Sequence, residues 1–175
     1  MRENDPVHRC PDGSYFLTRY DDITEVHKGA AFSSDKRLEF GPKYGTDSPL
    51  YQHHTTSLVF NDPPLHSRVR SLLSPAFTPQ AIRNLENELH SLIEKLLDTA
   101  AKKVSFDLIS DYAAAIPVEV VGNIIGVPQA VRDPLRNWSL DILGALELVT
   151  PPAIIERGNR AVTEFSEYLA ALIND

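Results

Sequence analysis

His66 and Arg70 stand one helical turn apart in the stretch Asn61-Asp62-Pro63-Pro64-Leu65-His66-Ser67-Arg68-Val69-Arg70-Ser71-Leu72-Leu73, and both can hold an anion. A guanidinium fork meets a carboxylate through two parallel hydrogen bonds, and an imidazole adds a third donor. The stretch carries the punctuation of a helix. Asp62 stands where an N-cap acceptor is wanted and Pro63 follows at the first helical position, while Pro75 disfavours helical geometry at the residue before it. The expectation is a helix from 63 or 64 to about 74. His66, Val69, Arg70, Leu73 and Phe77 then share one face, mostly apolar and expected to face inward. A cation on such a face needs an anion, because an unpaired buried charge is costly. Two readings stay open: Arg70 pairs with a carboxylate of its own chain or snorkels to solvent, with His66 an ordinary hydrogen-bonded histidine, or both meet a bound acidic group. Spacing alone does not choose between them.

The remaining reactive side chains offer less. The adjacent His53-His54 pair suggests a metal, but sequence neighbours seldom chelate one ion without other spaced ligands, so they read as two solvated histidines and no metal site is assigned. Cys10 is the only cysteine, which excludes an internal disulfide, and no neighbouring motif marks it as reactive. There is no Gly-x-Gly-x-x-Gly, phosphate loop, His-Glu-x-x-His or nucleophile elbow, and no catalytic residue is assigned.

The elements that must position these residues are mostly helical. Pro6-Val7-His8 and Tyr15-Phe16-Leu17-Thr18 flank the turn Pro11-Asp12-Gly13-Ser14, the pattern of a short β-hairpin. Asp21 or Asp22 is expected to cap a short helix with Ile23, Val26 and His27 inward, ending near Gly29. From 36 to 57 the composition turns to Gly, Pro, Thr, Ser and Tyr without a period and reads as a loop. Thr78-Pro79 opens the clearest helix, 79 to 101, with one apolar stripe from Ile82 to Ala100 and Lys102-Lys103 at its end. Val104 to Leu108 looks like a short strand. Leu108 to Gly126 is apolar on nearly every side and reads as a central buried helix despite Pro117, with Gly122 and Gly126 permitting close packing. Helices from 129 to 146 (inward Val131, Leu135, Trp138, Ile142, Leu146) and 153 to 173 (inward Ile154, Ile155, Val162, Phe165, Leu169, Leu172) flank the break at Pro151-Pro152. The chain is expected to end at Asp175, inside or just after the last helix.

Size and charge narrow the partners. The 175 residues, 42% hydrophobic, suffice for one ordinary core. The formal net charge of -7, from 24 acidic against 17 basic residues with no basic block, argues against nucleic acid. No apolar run approaches the ~18 residues of a membrane span, and Met1-Arg2-Glu3-Asn4-Asp5-Pro6 carries no signal core, so no membrane and a cytoplasmic location are expected.

The helix motif also carries a resemblance. Asp62, Pro63, Pro64, His66, Arg70, Leu72, Leu73, Ala76, Phe77, Thr78 and Pro79 match the Asp-Pro-Pro-x-His-x-x-x-Arg block of helix C, with its trailing Ala-Phe-Thr-Pro, in bacterial cytochrome P-450 monooxygenases. Leu65 replaces the usual Glu, at an exposed first-turn position. The opening run Glu3 to Arg9 is similar to the family's first strand, and Ile116-Pro117-Val118 through Gly126-Val127-Pro128 to its helix E and exit. The resemblance implies a mainly α chain, 1-175 being a single partial domain: the N-terminal portion of the cytochrome P-450 fold with a short β-hairpin, from the hairpin through helix G, lacking the C-terminal haem-thiolate half. It implies haem (heme, iron protoporphyrin) as cofactor, with His66 and Arg70 as cofactor-binding residues on its propionates. The 36 to 57 loop would cover the substrate, and the last two helices would be the lid. Cys10 does not match the haem-ligating cysteine. The helix I acid-alcohol pair and the helix K Glu-x-x-Arg find no matching block, so the axial thiolate and oxygen-activating helix are missing. The family likeness thus implies a fragment of a monooxygenase, an oxidoreductase by family that oxidises a small hydrophobic substrate with O2 and takes electrons from a ferredoxin-type or flavin partner, inactive alone. The alternative is a non-catalytic helical module that binds haem weakly or a partner chain.

Overall fold

The computed structural model describes residues 1–174, with Asp133 by its backbone only; the expectation for Asp175 lies outside the described residues. The chain divides into two compact units, Met1–Asp35 and Lys36–Asp175.

In the first unit, strands β1 (Val7–Arg9) and β2 (Tyr15–Leu17) pair antiparallel with His8 opposite Phe16. The turn closes as its sequence requires. Gly13 takes φ +88°, open only to a residue without Cβ strain, and Asp12 Oδ1 accepts from the Ser14 amide at 2.9 Å. Helix α1 (Tyr20–Lys28) starts two or three residues earlier than expected, with Arg19 in the N-cap position, so Asp21 and Asp22 are first-turn acids beside the positive helix end and not caps. His27 is exposed, not inward, and α1 buries no residue fully.

The second unit holds the principal correction. The expected loop is two helices, α2 (Arg37–Tyr44) and α3 (Pro49–Thr56), and they supply part of the core. Gly45, at φ +82°, turns the chain between them, and Ser48 Oγ accepts from the Tyr51 amide with Pro49 at the first helical position. That is the same Ser/Thr-Pro start that Thr78-Pro79 makes downstream. Each helix buries one residue pair spaced by four, Phe40 with Tyr44 and Leu50 with His54. Because one of those four positions is a histidine and the helices are only two turns long, no apolar period stands out.

Helix α4 (Leu65–Leu73) carries the candidate site and passes into a 3-10 turn, Ser74–Phe77. The expected continuous helix 79 to 101 is two: α5 (Pro79–Asn84) and α6 (Glu86–Ala101). At Leu85 the amide reaches back only three residues, to Ile82 at 3.1 Å, and this tightened turn separates them. Residues 104 to 108 form no strand, since no neighbouring segment pairs with them. Instead Asp107 caps a π-helical stretch, Leu108–Ala113, accepting from the amides of Ile109 at 2.9 Å and Ser110 at 2.6 Å. Helix α7 (Ala115–Ile124) begins after it. Pro117 therefore lies in a first turn, where its missing N–H is no loss. Gly126, at φ +75°, ends α7, and the Val127 amide closes back on Gly122 at 2.8 Å. Only Gly122 of α7 is buried, so this is not the central buried helix the composition implied.

A 3-10 turn, Gln129–Val131, precedes α8 (Asp133–Gly144), which is shorter than the expected 129 to 146 and leaves Val131 exposed. Helix α9 (Pro152–Asn174) follows. The core draws on α2, α3, α8 and α9: Phe40, Tyr44, Leu50, Ile142, Ala145, Ala161 and Val162. The helices approach closely at Gly158, where an added Cβ would lie 3.0 Å from Leu50 Cδ1 and 3.1 Å from the Asp141 carbonyl. The α8–α9 pair contributes Ile142, Ala161 and Val162 to that core, whereas only Ala100 is buried in α6. Among the described residues no helix is long and apolar enough to cross a membrane.

Candidate functional site

Helix α4 begins later than its motif suggests. Pro64 holds the N-cap position without a side-chain cap, and Asp62 meets the helix through its carbonyl, which accepts from the His66 amide at 3.1 Å. His66 and Arg70 nonetheless share one face, four residues apart. His66 is half-buried and Arg70 exposed. Among the described residues neither side chain has a hydrogen bond or ion pair, so no carboxylate of the described chain satisfies Arg70. The face is not inward: Val69 is half-buried, Leu73 is 46% exposed and Phe77 56%. Two unpaired donors therefore stand on an open, partly apolar surface, which suits an amphipathic ligand with an acidic edge.

An apolar cleft of about 470 Å³ between α7 and α8 is lined by Pro117, Val121, Ile125, Leu135 and Phe165, with Arg136 and Ser139 as its polar lining. Beside it the turn into α8 is pinned by Arg132, only 8% exposed. Its Nε and Nη2 donate to the Val127 carbonyl at 2.8 and 2.5 Å, and its Nη1 pairs with the Glu119 carboxylate at 2.7 Å. Nothing in the sequence flagged this arginine, because its partners are backbone carbonyls brought close by the α7 exit.

His53 and His54 are not the solvated pair expected. His54 is 3% exposed and enclosed by aromatic rings, with centroids 5.4 Å from Phe40, 5.6 Å from Tyr44 and 5.8 Å from Phe60. Its Nε2 has no hydrogen-bond partner. Burial, with His53 and Lys43 nearby, pushes its pKa down to about 4, and burial also lowers that of His53. Among the described residues no group of three His, Cys, Asp or Glu side chains could hold a metal ion.

No protein-family model matches the chain. Individual proteins do. The polyketide biosynthesis cytochrome P450 PksS of Bacillus subtilis is 28% identical over 188 residues, covering 100% of this chain and 44% of its own length. The epothilone C/D epoxidase of Sorangium cellulosum is 30% identical over 175 residues, covering 98% of this chain and 42% of its own. Among solved structures, P450BioI, in complex with an acyl carrier protein ligated to hexadec-9Z-enoic acid, superposes with a TM-score of 0.89 at 25% identity, over 99% of this chain and 46% of that one. The chain belongs to the cytochrome P450 family. It has a partial P450 fold, mainly helical with a two-stranded hairpin, and spans less than half the length of the P450s it matches.

The donor set on α4 fits one part of the P450 cofactor. A guanidinium fork and an imidazole one turn apart, both unpaired, suit carboxylates at the edge of a haem. Cys10, in the hairpin unit, is the only cysteine in the 175 residues.

Proposed function

We propose that this chain forms one wall and the cover of the haem pocket in a P450 monooxygenase, with Arg70 and His66 holding the haem propionates. The observation that carries this reading is the pair of unpaired donors on α4, in a motif where the family places them. Haem, once bound and given a thiolate ligand, supplies the oxygen activation. This chain's residues would orient it: Arg70 by a bidentate charge-assisted contact, His66 by a single hydrogen bond. The α7–α8 cleft, nearly all apolar, suits a small hydrophobic substrate. P450BioI with its acyl carrier protein and PksS of polyketide biosynthesis make a carrier-tethered acyl substrate the class to try first. A ferredoxin-type or flavin protein would deliver electrons, in the cytoplasm.

The second reading, a non-catalytic module that takes up haem weakly or a partner chain, is favoured by the exposed apolar residues Leu72, Leu73 and Phe77 around the same helix. Haem titration of the purified chain separates the roles. Arg70→Ala is expected to weaken haem binding about tenfold to a hundredfold, for a charge-assisted contact worth on the order of 1.5 to 3 kcal/mol. His66→Ala should weaken it less. Arg68→Ala, on the opposite side of α4, should leave it unchanged. Equal retention by Arg70→Ala and Arg68→Ala would return both arginines to surface roles.

A further inference from the structure

His54 has no part in the haem-edge site, yet it is the only histidine among the described residues with a ring nitrogen that is sealed from water and unpartnered. No group around the ring bonds its Nε2. From α2, the groups around the ring are Phe40, Tyr44 and Lys43; from the 3-10 turn Leu58–Phe60, only apolar side chains; from α3 itself, His53. The Tyr44 hydroxyl donates to the Ala145 carbonyl at 2.6 Å and makes no bond to the ring Nε2. Lys43 donates to the Glu147 carbonyl, and the Glu147 charge acts on Lys43. On α9, Glu167 lines the cleft that His53 also lines. Among the described residues no carboxylate bonds the His54 ring.

The ring sits where four helices are joined. One turn before it on α3 lies Leu50, fully buried, its amide capped by Asn159 Oδ1 of α9 at 2.9 Å. One contact away lies Tyr44, which ties α2 to the end of α8. Neutral imidazole packs against these rings in tilted and edge-on arrangements, as aromatic rings do. Imidazolium would bring a charge with no acceptor and a cation, Lys43, nearby, and water can reach its Nε2 only if the cage opens.

We propose that His54 is an acid-operated latch: a proton taken up at its sealed ring nitrogen releases α2 and α3 from the α8–α9 pair. The proton comes from solvent, and its loss on neutralisation re-forms the cage. The direction follows from linkage. The closed state holds His54 neutral and the open state lets it titrate normally, so closure is complete above pH 6.5 and weakens as pH falls toward 4. The closed-to-open ratio drops about 30-fold by pH 5 and about 300-fold over the whole window.

Hydrogen exchange of the intact chain, read between pH 7.5 and 4.5 and corrected for intrinsic rates, tests the latch. Exchange in 37–60 should accelerate at least tenfold by pH 5 and reverse on neutralisation. His54→Phe, which keeps a ring in the cage, should remove the acceleration, while His53→Gln should retain it. The same acid response in His54→Phe as in the wild type would overturn the proposal. Should that variant fail to fold, the wild-type ring proton resonance of His54 decides: titration near 6.5 in a closed protein refutes the latch, whereas titration only together with opening below pH 5 supports it.

Discussion

A Cβ added to Gly122 would lie 2.6 Å from Nε of Arg132, so the α7 exit is closed by a side chain that only a glycine admits. Gly122→Ala would force the guanidinium away from the Val127 carbonyl and Glu119, leaving a buried cation without its partners. A loss of about 2 to 4 kcal/mol is expected, from overpacking together with the broken pair. Urea unfolding of Gly122→Ala, Arg132→Met and the double variant checks it. Because the two residues touch, the double variant should lose less than the sum of the singles. Strict additivity would mean that the close approach has no energetic content.

Tyr44 gives a second test, at high pH. Burial pushes its phenol up to about 12, so the folded state holds the proton more tightly than the unfolded state does. That stabilisation is complete below pH 10 and is lost between 10 and 12. In a spectrophotometric titration of the six tyrosines, Tyr44 should ionise last and together with unfolding. Tyr44→Phe should cost about 1 kcal/mol at neutral pH, for the bond to Ala145, and remove this part of the alkaline loss. A variant as stable as wild type at pH 7, with an unchanged alkaline midpoint, would show that the phenol does not anchor α2.

Hydrogen exchange at neutral pH should divide the second unit between its core helices and α6. Amides of α9 around Gly158, Ala161 and Val162 should exchange more slowly than those of α6, because the first group lies in the four-helix core and the second buries only Ala100. Faster exchange in α9 than in α6 would place the stable core elsewhere.

Much of the second unit was legible because its signals are local. Thr78-Pro79 starts α5, with Thr78 Oγ1 accepting from the Ala81 amide at 3.2 Å, and the four-residue offset of His66 and Arg70 puts both on one face of α4 wherever that helix packs. Helices α2 and α3 escaped notice although Ser48-Pro49 carries the same start signal, since a buried histidine and a polar exposed face erase the apolar period. The π-helical stretch escaped for another reason. The choice at Asp107 lay between strand pairing and capping, and a strand needs a partner that its own residues cannot name.

Capping, turn geometry and side-chain spacing act within a few residues, so the order of amino acids alone settled the hairpin turn at Gly13, the helix start at Pro79, the end of α7 at Gly126, and the paired donors on α4. Burial depends on what other segments cover a side chain. Tertiary packing was needed to establish that the apolar helix α7 stays half-open, that Arg132 is held by carbonyls across the α7 exit, and that His54 loses water and finds no partner. Each of those outcomes rests on desolvation by distant parts of the chain, a quantity that no local pattern encodes.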